Sequence, residues 1–444
     1  MSARSGLPPF LTFFRRGWLI SLSAGFLLLG QPCPPLLSAG QPSPRNHLRL
    51  SNGSLLVFEE QAGWESAAVC LLLTSPGSEE ERKDLLADAA EHVLSSWCDL
   101  GLPQMVGKGN SITDGLRWLR NGDGLALLLE TAPADVNRAG QLLADILELD
   151  FLPSEVAPYL GQVAARLSSG GYDNDPGRLA LNLALGRVVS PAGPTNGMGT
   201  ASTPQEFLSF LQALRSPANV TVSVCVPRLS EATVSFFTQL FGSRPGPDVG
   251  TDDRSRSALE NGPLQPFSGV HRFTGGGPMA RISLAFALPC SSLKEYWAVR
   301  AMAATLGGPR FSSLWQGLRR QEGLTYRTED RIQLTDGKVA VSIECRTPRP
   351  FARRAEELMV ADAERMAQFG LSSEECQRAL EYLKGMVLER WQRPAEAAIE
   401  NANEARAAES DLDTPPRELI ESLTKADISS AAFGLRGRWV ISVF

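Results

Sequence analysis

The chain has 444 residues, 43% of them hydrophobic and 21% charged, with a net charge of -6, a pI near 5.4 and a mean hydropathy of -0.09. These values describe an ordinary globular protein with enough apolar residues for two domains of about 200 residues each, and exclude a disordered chain or a multi-span membrane protein. The acidic balance, with no Lys/Arg stripe interleaved with aromatics, also excludes a broad nucleic-acid surface.

Residues 1–46 read as a signal peptide and linker. Arg15-Arg16 precede the apolar run Trp18 to Leu29, and a Gly/Pro/Ser-rich stretch follows to Pro44. The run is about a dozen residues, short of the roughly 20 that span a bilayer, which predicts a cleaved export signal and a periplasmic or extracellular mature chain. An uncleaved membrane tether is the alternative. Ser38-Ala39-Gly40 supplies the small residues that cleavage needs.

From Leu48 the pattern runs strand, turn, strand, helix. Asn52-Gly53 is a hairpin signal, Leu55 to Glu59 and Ala67 to Thr74 are strand-like, and Asp84 to Trp97 has helical apolar spacing. Further along, Leu125 to Glu130 predicts a strand, Ala134 to Leu149 a helix, Pro204 to Leu214 a helix capped by Thr203, and Val220 to Val226 a β-branched strand. Composition shifts to Gly, Pro, Ser, Asp and Arg between 242 and 269, which reads as a linker between domains at 47–241 and 270–444. The second half repeats the order: strand Arg281 to Leu288, helices Leu293 to Leu306 and Ser312 to Gln321, strand Lys338 to Cys345, then helices Pro350 to Phe369 and Ser373 to Trp391. An internal duplication follows, with the Leu293 helix as counterpart of the Asp84 helix. The seven cysteines form no short-spaced framework and no Cys-x-x-Cys pair, so free thiols are expected.

The chemistry concentrates in two places. Asp88-Ala89-Ala90-Glu91-His92 has the outline of His-x-x-Glu-His, in which two histidines four residues apart on one helix face hold zinc beside a general-base Glu. Here the first histidine position is Asp88. One His and one Asp fall short of the three protein ligands usual in catalytic zinc sites, so Asp88, Glu91 and His92 read as a degenerate motif. In the second half, Leu306-Gly307-Gly308-Pro309-Arg310-Phe311-Ser312-Ser313-Leu314 leads into Leu318-Arg319-Arg320-Gln321-Glu322-Gly323-Leu324-Thr325-Tyr326. His47 and His271 flank strand starts and are assigned no site.

Together with Asn52-Gly53, Asn110 and the run Ser190-Pro191 to Gly199-Thr200, these stretches resemble the insulinase/pitrilysin family of inverted-motif zinc metallopeptidases, particularly its small two-domain members related to mitochondrial processing peptidase. The resemblance implies an α+β fold of two similar domains, each an antiparallel-rich sheet with helices packed on one side, closing like a clam around a peptide. It implies a third zinc ligand, a Glu roughly 70 to 80 residues after the motif. The segment Gln162 to Ser169 holds no carboxylate and contains Arg166. The expectation is therefore a chain with no cofactor or metal of its own. Arg319 and Tyr326 match the pair that the family uses opposite the metal, Tyr as oxyanion donor and Arg on the peptide backbone. Some family members divide zinc motif and Arg/Tyr pair between two subunits. The predicted role is the Arg/Tyr subunit of a heterodimeric peptidase, inactive alone, whose homologous partner carries zinc and whose substrate is a peptide. The alternatives are a non-catalytic peptide-binding or structural scaffold, and an autonomous metalloendopeptidase with atypical ligands.

Overall fold

Asn52-Gly53 turns the chain between β1 (Asn46–Arg49) and β2 (Leu55–Glu60), an antiparallel hairpin in which Leu48 pairs with Leu56. Gly53 takes φ +94°, in the left-handed region that glycine enters without steric cost. The buried Asn52 amide donates to the carbonyls of Phe241 (2.7 Å) and Arg244 (3.0 Å), and its Oδ1 accepts the Ser54 N–H at 3.1 Å, which pins the turn to a distant helix end. The computed structural model describes residues 45–74, 86, 89–95, 116–121, 124–168, 176–185, 203–246, 268–273, 277–335, 337–390, 392–408 and 411–444.

The first sheet adds β3 (Ala67–Leu73), β4 (Leu116–Asn121), β5 (Gly124–Thr131) and β6 (Val220–Val226) in the order β1-β2-β6-β3-β5-β4. The second contains β7 (Gly269–Arg272), β8 (Met279–Pro289), β9 (Thr328–Thr335), β10 (Lys338–Pro348) and β11 (Trp439–Val443) in the order β7-β11-β8-β10-β9. Without β1 the two orders superpose strand for strand. In each, one pair is parallel (β2 with β6, β7 with β11) and the remaining pairs are antiparallel. The duplication inferred from the order of elements is thus present in the pairing itself.

Helices α1 (Val136–Leu147), α2 (Pro153–Ser168), α4 (Pro204–Leu214) and α5 (Glu231–Gly242) pack on one face of the first sheet, where Leu143, Val156, Phe207 and Phe237 meet Val69, Leu71, Leu127 and Val222. The capping box expected at Thr203 is present: the Glu206 N–H donates to Thr203 Oγ1 at 3.2 Å and the Thr203 N–H to Glu206 Oε2 at 2.9 Å. On the second sheet, α6 (Leu293–Leu306), α7 (Ala352–Phe369), α8 (Ser373–Arg390), α10 (Pro416–Ser422) and α11 (Lys425–Phe433) build the matching core around Leu284, Phe286, Val341 and Ile343.

The opposite face of each sheet is covered by a helix from the other half. From the first half, α3 (Pro176–Ala184) lays Ala180, Leu181 and Ala184 on Ala285, Ala287, Ala340 and Val440. From the second, α9 (Pro394–Ala407) lays Ala395, Ala398 and Ala402 on Ala68, Cys70, Leu72 and Leu128. This two-sided burial explains why β3 is apolar throughout, since an alternating pattern is needed only where one face meets water. Leu55 and Val57, whose side chains join the second-half core, tie the halves further.

One element differs from its sequence expectation. The stretch Ser312 to Gln321 was expected as an α-helix and instead contains a π-helical turn over Trp315–Gln321. The interdomain linker expected at 242–269 falls largely on residues 247–267, outside the described residues, as does the whole export segment before Arg45. No described helix is long and apolar enough to cross a membrane.

Candidate functional site

In the motif helix Ala89, Ala90, Val93 and Leu94 are buried, while Glu91 and His92 lie partly exposed on the other side. That spacing of one turn or less on each face is the ordinary consequence of 3.6 residues per turn. Asp88 lies outside the described residues, as do Asn110 and the 190–200 stretch, and Arg166 is described only in its backbone.

His92 meets α2. Its Nε2 is 3.0 Å from Gln162 Oε1, across a sequence separation of 70, and its ring stands edge-on to Tyr159 at 6.0 Å and 78°. Tyr159 and Gln162 are about one helical turn apart; Tyr159 packs at the edge of the core that holds Val156, Leu160 and Val163, and Gln162 is exposed. With an amide oxygen as acceptor, the imidazole donates through Nε2, so that nitrogen has no lone pair to offer a metal. Gln162 is the residue that sequence reasoning passed over. The signal was available: glutamine has the shape of glutamate, and Gln162 opens the very segment expected to hold the third ligand.

The second-half site is built from backbone constraints. A Cβ on Gly307 would come within 2.4 Å of Ile343 Cγ2, and one on Gly308, where φ is +87°, within 2.1 Å of Asp330 Oδ1. The two glycines thus let the chain press against β10 and β9. Buried Ser312 then caps the next turn, with its Oγ accepting the Trp315 N–H at 3.3 Å. Leu318 and Leu324 anchor the π-helical turn and the bend after it, where the Leu324 N–H donates to the Leu318 carbonyl at 2.7 Å and Gly323 takes φ +65°. Thr325 is buried and its hydroxyl donates to the Arg327 carbonyl at 2.9 Å.

Between these anchors Arg319 and Tyr326 are presented outward. The Arg319 guanidinium lies 5.1 Å from the centre of the Tyr326 ring, within cation–π range, and Tyr326 is 85% exposed. An aromatic ring held so far out of the core contributes little to stability through burial, and its hydroxyl is open to a ligand. Arg354 takes up the neighbouring carboxylate, with Nη2 2.6 Å from Glu322 Oε1, and holds that carboxyl below its ordinary range. The structure therefore brings Arg319 to Tyr326 and His92 to Gln162, as two separate pairs. Of the remaining histidines, His47 has Nδ1 2.9 Å from Asp413 Oδ1 at the surface and His271 lies on β7.

Two sheets that share one strand order apart from β1, each carrying a core of helices on one face, define a duplicated α+β fold. Residues 202–383 match the model of the peptidase M16 inactive domain. Over that stretch the chain is similar to the insulinase (M16) family, and the solved structures that follow share its fold. Its fold is similar to that of a protease from Helicobacter pylori, with a TM-score of 0.68 at 16% identity, covering 90% of this chain and 99% of that one. It is also similar to the periplasmic protease PqqL from Escherichia coli (TM-score 0.63, 14% identity, 95% of this chain and 48% of that one). A third likeness is to a chain of complex III2 from Candida albicans (TM-score 0.61, 15% identity, 90% of this chain and 95% of that one). No curated protein matches the chain.

Proposed function

We propose that this chain is the zinc-free Arg/Tyr subunit of a two-subunit peptidase, with the zinc-bearing homologue as its partner. The observation that carries the reading is the Arg319–Tyr326 pair, held by a rigid signature loop and left open to a ligand. The first-half remnant points the same way. Zinc takes Cys, His, Asp or Glu, and among the described residues no three such side chains lie together, while His92 Nε2 already meets a neutral amide beside Glu91. Such a set does not fit zinc, so the partner would supply the metal, the water and its base. Arg319 would hold the peptide backbone of an extended substrate, and the Tyr326 hydroxyl would donate to the scissile carbonyl as negative charge develops on its oxygen.

A homologous partner accords with the likeness to a chain of a multi-subunit complex, and an exported setting accords with the likeness to a periplasmic protease and with the 1–46 segment. The division into domains at 47–241 and 270–444 belongs to the same reading. Mixing the purified mature chain with a family member that has an intact zinc motif tests it. Hydrolysis of a peptide that neither protein cleaves alone is expected. Stable assembly without any gain in hydrolysis would mark the chain as a scaffold.

A further inference from the structure

Five buried polar groups, remote from both candidate pairs, meet where α9 crosses the first sheet. Arg45, Glu59, Arg390, Asn401 and Glu404 are each 0–5% exposed. Arg45 Nη1 donates to Glu404 Oε2 and, at 3.2 Å, to Asn401 Oδ1, and its Nη2 donates to the Thr414 carbonyl at 3.1 Å. Arg390 Nη1 donates to Glu404 Oε1 at 3.0 Å, and Arg390 Nη2 lies 3.6 Å from Glu59 Oε2. The Asn401 amide bridges the rest, donating to Glu59 Oε2 at 2.6 Å. Two guanidinium groups therefore face two carboxylates in a site closed to water.

The origins of these groups are unequal. Asn401, Glu404 and Arg390 come from α9 and α8 of the second half, Glu59 from β2, and Arg45 from the residue that precedes β1. We propose that Arg45 is the keystone of an N-terminal strap: its guanidinium completes a charge-balanced buried cluster that fastens α9 to the first sheet, so the halves lock together only when residue 45 is docked. Without it, one cation faces two carboxylates, and a buried charge without its counter-ion is among the costliest defects a core can hold. Processing before residue 45, as Ser38-Ala39-Gly40 would allow, preserves the strap, and a cut after it removes the key.

The test compares the chain beginning at Gln41 with its Arg45→Gln, Arg45→Lys and Arg45→Gln/Glu404→Gln variants, and with a chain beginning at Asn46. Thermal midpoint and hydrogen exchange of the α9 amides are read for each. Arg45→Gln and the shortened chain should each lose roughly 5 °C or more in midpoint and at least about tenfold in α9 protection. Arg45→Lys should recover part, because it keeps the charge without the planar fork. The double variant should recover most, because Arg390 is then matched by Glu59 alone. In Arg45→Gln two buried carboxylates share Arg390 alone, which disfavours the ionised form of Glu404, so stability should fall as pH rises from about 5 to 8, the reverse of a carboxylate stabilised by cations. The groups facing it are Glu59, Arg390 and the Cys225 thiol, with the Arg300–Glu400 pair one turn away. If Arg45→Gln does not fold, folding of the double variant supports the proposal. An unchanged midpoint and α9 protection in Arg45→Gln, or a double variant as unstable as the single one, overturns it.

Discussion

At His92 a single hydrogen bond determines what the side chain can do. The motif positions Asp88, Glu91 and His92 were legible because a helix face repeats at fixed spacing, and so was the region of the third ligand. That Gln162 in particular reaches His92 required the crossing of two helices, which no local pattern encodes. If Gln162 stands at the missing ligand position, neither Asp88→His nor Gln162→Glu alone should confer zinc binding, whereas the two together should bring three protein ligands to one point. Elemental analysis of the purified variants checks this, and one tightly held zinc in the unaltered chain would contradict the zinc-free reading. At the other pair, Tyr326→Phe in the assembled complex should lower turnover by roughly 10-fold or more with assembly intact, as for loss of one oxyanion donor. Arg319→Ala should weaken substrate binding as well as turnover, because a backbone clamp acts before the transition state too. Equal turnover with both residues replaced would remove them from the mechanism. Steady-state kinetics of the mixture distinguish these outcomes.

At the scale of elements, strands and helices with one strong periodicity were readable and others were not. The spans Pro204–Leu214, Val220–Val226 and Leu293–Leu306 stand as the sequence predicts, each bounded by a Pro, cap or turn signal. Strand β9, with the sequence TEDRIQLT, was missed because an edge strand carries charge on the face where a central strand would be apolar. Helix α9 was missed for the opposite reason: its Ala-rich sequence is buried on several sides and shows weak amphipathicity. The signature loop makes a prediction at this scale. Gly307→Ala would place a methyl 2.4 Å from Ile343 Cγ2 in a packed core, an overpacking cost of about 1–3 kcal/mol. Urea unfolding should show it, and Ile343→Val should relieve only a part, since it removes Cδ1, 2.8 Å from the added methyl, and keeps Cγ2.

At the scale of the whole molecule, burial and charge pairing set the response to pH and to thiol reagents. The Glu404 carboxyl is opposed by burial but held below its ordinary range by Arg45 and Arg390. A depressed carboxylate contributes stability that is present above its unfolded value and is lost as pH falls through the folded one, so acid should weaken the fold below about pH 4. Asp362, pushed up by burial, acts in the opposite sense. Thermal midpoints between pH 3 and 7 should therefore fall steeply only at the acid end. The described cysteines Cys70, Cys225, Cys290, Cys345 and Cys376 are free and buried, as the absence of a short-spaced framework led one to expect. Burial pushes the Cys70 and Cys345 thiols up to about 12, so both should resist alkylation at pH 8 in the folded chain and react on unfolding, as peptide mapping would show.

Through its resemblance to the insulinase/pitrilysin family the sequence pointed to the α+β two-domain class and the Arg319–Tyr326 pair, and by itself it determined the repeated order of elements and the hairpin at Asn52-Gly53. Those features rest on turn chemistry, caps and periodicity, which act over a few residues. Only the tertiary structure decided that α3 and α9 exchange places across the halves, that Gln162 satisfies His92, and that Arg45 meets Glu404. Each of these joins residues tens to hundreds of positions apart. Their pairing depends on which buried polar group finds a partner when the sheets close, and a one-dimensional pattern holds no record of that choice.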